Sequence, residues 1–133
     1  MGVALSTTVQ TSFDEAVSRT REALARQGFG VLTEIDLKAT LKAKLGEQIE
    51  DYLILGACNP GLAHRAVTSY RPIGVLLPCN VVVRADPEAP DTVIVDAMDP
   101  RLMAQVTDEP ALTEIADQVG ALLHNALREI AGT

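Results

Sequence analysis

Residues 79–100 read CNVVVRADPEAPDTVIVDAMDP. Two valine-rich runs flank the polar, proline-bearing loop DPEAPD, which is the pattern of two strands joined by a turn. The spacing predicts a β-hairpin with strands from about Cys79 to Ala85 and from Thr92 to Ala97. A short hairpin can only join antiparallel neighbours, because parallel strands need a long crossover. The expected fold is therefore α+β: two layers, a mostly antiparallel sheet with helices packed on it. The alternative is a three-layer α/β fold with a parallel sheet, since strands and helices alternate before the hairpin.

Upstream, Val3 to Gln10 is rich in Val, Thr and Leu and reads as a first strand. Ser12 and Glu15 have capping-box spacing, so a helix is expected from about Phe13 to Gln27, with Phe13, Ala16, Val17, Thr20 and Leu24 on its buried face. Gly28 closes it. The segment FGVLTEIDL alternates, with Val31, Thr33, Ile35 and Leu37 facing one way, and predicts a half-buried strand. Asp36 caps a short helix carrying Leu37, Leu41 and Leu45, closed by Gly46. The continuous apolar run DYLILGA predicts a strand buried on both faces. Asn59-Pro60 then starts a helix, as N-cap and first helical residue, and Arg71-Pro72 stops it.

Downstream of the hairpin, DPRLMAQV reads as a turn with room for one helical turn. The last segment keeps a 3.6-residue apolar period from Leu112 to Ile130, with Thr107 or Asp108 as its cap. The expected order is β-α-β-(short α)-β-α-β-β-α in one domain spanning residues 1–133.

Composition removes several function classes. The formal net charge is −7, so nucleic acid is not an expected partner, because such binders need a basic footprint. The most apolar stretch, Ile73 to Val83, is too short to span a membrane and is broken by Pro78 and Asn80. The start of the chain lacks the basic and apolar regions of a signal peptide. Two cysteines without such a signal point to a reducing, cytoplasmic setting and to thiols.

The chemistry worth weighing sits at those cysteines. Each is followed by asparagine: Cys58-Asn59 and Cys79-Asn80. Cys58 ends an apolar run beside a helix N-terminus, whose partial positive charge favours a thiolate. If the two strands are neighbours, the thiols come within reach of each other. The expected site is a pocket between the Cys58 turn, the start of the Cys79 strand and Met98, with Asn59 and Asn80 beside the thiols. Two thiolates and a thioether suit Cu(I), and adding a histidine suits Zn(II). Met98, Met103 and His64 are the available additional ligands, although His64 is turned away from the apolar stripe of its helix. The ligand would be a soft metal ion or a small thiol-reactive molecule; no cofactor is specified. A Cys58–Cys79 disulfide cycle is the enzymatic alternative. A packing or partner-binding domain without a ligand is the third reading. Lys38, Lys42 and Lys44 form the one basic helix and are candidates for holding an anion.

The segments LILGACNP with LAHRA, IGVLLPCNVVV and DAMDP resemble the domain of unknown function 302 family, as does EALARQGFGVLTEIDLKATLKAKLG. The resemblance runs from about Thr8 to the start of the final helix. It implies a small α+β domain, mainly prokaryotic, that pairs into homodimers, and it implies no established reaction.

Overall fold

The fold is seen in a computed structural model that describes residues 2–132. In chain order the strands are β1 (Ala4–Gln10), β2 (Gly30–Asp36), β3 (Tyr52–Cys58), β4 (Cys79–Ala85) and β5 (Thr92–Met98). The helices are α1 (Phe13–Arg26), α2 (Leu37–Leu45), α3 (Pro60–Ser69), α4 (Arg101–Thr107) and α5 (Pro110–Ala131), with a 3₁₀ segment over Arg71–Leu76. The strands form one sheet in the order β1-β5-β4-β3-β2. Every neighbouring pair is antiparallel, so the parallel alternative is not realised.

Local chemistry accounts for most boundaries. The Ser12 hydroxyl accepts the Glu15 N–H, the Asp36 carboxylate accepts that of Ala39, and the Asn59 side-chain oxygen accepts that of Leu62. Each satisfies an N–H that the first helical turn leaves unpaired. Gly28 and Gly46 end their helices at φ of 85° and 71°, the left-handed region where a Cβ is disfavoured.

One face of the sheet carries the core. Val9, Leu53, Leu55, Ala57, Cys79, Val81, Val83, Val93, Val95 and Ala97 are buried, and they occupy alternate positions on four strands. Helix α5 covers them with Leu112, Ile115, Val119, Leu123 and Ile130, and α1 with Ala16, Ala23 and Leu24. The opposite face has a cross-strand row of Ile35, Ile54 and Val82, continued by Asp96 and Ser6. The charges there are matched internally: Arg84 Nε donates to Asp96 Oδ2 at 2.8 Å, and Ser6 Oγ donates to Asp96 Oδ1 at 2.5 Å.

Four expectations need correction. The strand β2 is not half-buried. It is an edge strand, and a bulge at Leu32 shifts the register between Val31 and Thr33. Val31 therefore faces the core side, while Thr33 and Ile35 face the opposite side. The run DYLILGA is fully buried mainly on its core side, with Tyr52 and Ile54 only half-buried on the other. Residues 101–107 form a seven-residue helix rather than a turn; just ahead of its N-cap Pro100, Asp99 Oδ1 accepts the Arg101 N–H at 3.0 Å. Neither Thr107 nor Asp108 caps α5. Thr107 Oγ1 donates to the Met103 carbonyl, Asp108 takes φ of 55° between the helices, and α5 starts at Pro110 after Glu109.

Candidate functional site

Strands β3 and β4 are neighbours, and Ala57 pairs with Cys79. Cys58 is the next residue along β3, so its Cα lies roughly 6 Å from that of Cys79, from the strand spacing and rise. The Cα separation lies within the range that disulfides span. Cys58 ends β3 and Asn59 begins the turn into α3, while Cys79 opens β4 on its core-facing side.

Both cysteines line one partly open pocket of about 20 Å³. Its walls are Phe29 and Ala57 from the sheet side, Leu62, Ala63 and Ala66 from α3, and Ile115 and Val119 from α5. Asn59, Leu77 and Met103 complete it. The volume is about that of one water-sized particle, and the walls are almost wholly apolar. Three sulfur-bearing residues, Cys58, Cys79 and Met103, thus line one space that offers water very few partners.

The thiols differ in environment. Both are free; Cys58 is half-buried and Cys79 is buried. Burial, reinforced by the neighbouring Cys58 thiol, pushes the Cys79 thiol up to about 11. At neutral pH Cys79 is therefore protonated. This has a measurable consequence for the metal-free protein. A thiol whose pKa is raised on folding leaves stability intact below its unfolded pKa. Stability falls as pH rises through the folded value, because the unfolded chain then binds fewer protons. Between pH ~8.5 and ~11 the wild type is expected to lose about 2 kcal/mol more than Cys79→Ala, from the size of this shift. Urea denaturation of both proteins at neutral and alkaline pH checks it, and parallel losses would show that Cys79 is not so perturbed.

The other candidate residues are placed as follows. Asn59 belongs to the site: its Oδ1 caps α3, and a Cβ on Gly28 would stand 3.1 Å from its Nδ2, so the α1 turn packs against the Cys58 turn. Asn80 does not line the cavity. It is exposed on the opposite face, paired with Gly56, and alternation along β4 turns it away from Cys79. Met98 does not line the pocket either: it ends β5 opposite Ala4 and packs, partly buried, against the core away from the thiols. Met103, 1% exposed on α4, is the methionine at the thiols. His64 is exposed, as expected from its helix position. Among the described residues no three His, Cys, Asp or Glu side chains are grouped to hold a metal. Lys38 pairs with Asp51 at 3.1 Å, Lys42 and Lys44 are exposed in the last turn of α2, and none of the three lines the cavity. The signal for Met103 was faint in sequence, because a helix too short to show a period gives no face to read.

Residues 5–130 match the family described as domain of unknown function DUF302. A crystal structure of an uncharacterized conserved protein DUF302 from Bacillus stearothermophilus is similar to this chain, with 27% identity and a TM-score of 0.88. The likeness covers 98% of this chain and 99% of that one. No curated protein matches the chain. No helix among the described residues is long and apolar enough to cross a membrane.

Proposed function

This chain belongs to the DUF302 family, and within that family we propose that it is a small binding module whose cavity takes one soft monovalent metal ion, Cu(I) being the biological case. The observation that carries this reading is the composition and size of the space: Cys58, Cys79 and Met103 around about 20 Å³. A bare ion fits such a space. Thiolate and thioether ligands select Cu(I), which accepts few ligands and no hard ones. Zinc needs a four-ligand set of nitrogen, sulfur or oxygen donors, and the described residues supply no such group.

Cys79, held at about 11, is a poor attacking thiol at neutral pH, so a thiol–disulfide cycle would start from Cys58. A bound metal ion displaces the proton itself. The module works in a reducing cytoplasm of a prokaryotic cell, where thiols stay free, and as a homodimer.

Anaerobic titration of the reduced protein with Cu(I) against a competing chelator tests the reading. One ion per chain is expected in the wild type. Cys58→Ala should lose more than the ~10–100-fold in affinity that removing a mere outer-shell partner costs. Equal binding by the two proteins would place the metal elsewhere, and none by either would leave a packing domain; both overturn the reading.

A further inference from the structure

The side-chain amide of Asn59 is used at one end only. Its Oδ1 accepts the Leu62 N–H at 3.3 Å and caps α3. A backbone N–H can only donate, so the atom facing it is the oxygen and Nδ2 is the other end of the amide. Nδ2 makes no hydrogen bond among the described residues. It lies against the turn between α1 and β2: a Cβ on Gly28 would stand 3.1 Å from it, and Gly28, at φ of 85°, carries none. The next residue, Phe29, lines the pocket of the two cysteines. It does not line the outer groove between α3 and α5, which Asn59 also borders together with Arg65 and Gln118. The free N–H groups therefore sit on the sulfur side of that boundary. Among the described residues lining the pocket, Asn59 alone has a side-chain N–H; the other side chains are two thiols, a thioether and hydrocarbon.

A donor at this place answers a charge that loading creates. Two cysteines that give up their protons and one monovalent cation leave one net negative charge. The apolar walls do not solvate it, and a charge among such groups is costly unless it is hydrogen-bonded. We infer that Asn59 Nδ2 donates a hydrogen bond to a metal-bound thiolate of the loaded pocket, which makes Asn59 a positioning residue for a monovalent ion as well as a helix cap. Hydrogen bonds to the ligands are a general means of orienting them and tuning the metal. A divalent ion on the same two thiolates would leave no net charge and would gain less from the donor. Cap and donor are opposite ends of one amide, so substitution separates them. Aspartate and serine cap a helix about as well as asparagine, and neither carries the amide N–H. Aspartate also adds a negative charge beside a pocket that is already negative when loaded.

The inference rests on the copper reading of the same pocket. In chelator competition Asn59→Ser should bind Cu(I) about tenfold more weakly than the wild type and Asn59→Asp about a hundredfold, the range for losing a hydrogen bond to a metal ligand. Denaturant midpoints of the metal-free variants should stay near that of the wild type, because the cap is kept. A second measurement uses the wild type itself. Cu(I) leaves the protein diamagnetic, so the side-chain amide protons can be followed by NMR on loading. One Asn59 amide proton should move downfield and exchange more slowly with water. The Gln118 amide, whose Nε2 donates to Glu114 at 3.4 Å on the outer groove, should do neither. Variants that bind Cu(I) as tightly as the wild type, or an Asn59 amide that responds no more than that of Gln118, overturn the inference and leave the copper reading standing. A wild type that binds no Cu(I) overturns both.

Discussion

Met103→Leu should leave the protein folded and weaken Cu(I) binding by on the order of tenfold or more, as expected for loss of a soft ligand. Met103 is 1% exposed and stands between α4 and the cavity walls. Leucine has a similar volume, so the core is expected to lose less than about 1.5 kcal/mol. Met103→Ala removes the bulk as well and should cost about 2–5 kcal/mol. The two variants separate packing from ligation. If the sulfur matters, both lose Cu(I) affinity while only alanine loses much stability. If Met103 only fills space, leucine binds Cu(I) as the wild type does. Denaturant midpoints and a chelator competition on the same preparations read both quantities.

The other large effect is expected at Asp99. Its side chain is only 4% exposed, and it accepts the Arg101 N–H together with Nε and Nη2 of the Arg101 guanidinium. Those guanidinium hydrogen bonds hold the carboxyl below its usual range against the opposing effect of burial. Asp99→Ala removes the acceptor of the Arg101 N–H and guanidinium at the start of α4, for a cost of about 2–3 kcal/mol. Asp99→Asn keeps an oxygen for the Arg101 N–H and should cost less. The pH dependence has a definite sign. A carboxyl whose pKa is lowered on folding contributes stability above its unfolded value, and the contribution fades as pH falls through the folded value. The gap between wild type and Asp99→Asn should therefore be widest at neutral pH and shrink toward acid. A constant gap would show that the carboxylate charge plays no part. Because α4 carries Met103, Asp99→Ala should also loosen the third sulfur.

The hairpin was legible because its signal is local: strand residues, turn residues and strand residues within one short window. The same holds for Asn59-Pro60, Gly28 and Gly46, where a single side chain or its absence sets the backbone. The bulge at Leu32 was not legible. It inverts the facing of Val31 relative to Thr33, and a two-residue alternation read without its partner strand cannot reveal an inserted residue. Residues 101–107 were hidden for a different reason: the helix is held by Asp99 and by burial of Met103, neither of which is a periodic pattern. At the site, the juxtaposition of Cys58 and Cys79 followed from neighbouring strands. The exchange of Met98 for Met103 did not, because it depends on where β5 ends and where α4 returns. The two Cys-Asn steps also proved unlike. Asn59 caps a helix, and Asn80 lies on the other side of the sheet.

X-ray absorption at the copper edge of the Cu(I)-loaded, reduced protein tests the central claim most directly. The account predicts one copper per chain with an all-sulfur first shell, two thiolates and a thioether, falling to two sulfurs in Met103→Leu. A shell containing nitrogen or oxygen, or one unchanged when Cys58 is replaced by alanine, would contradict it.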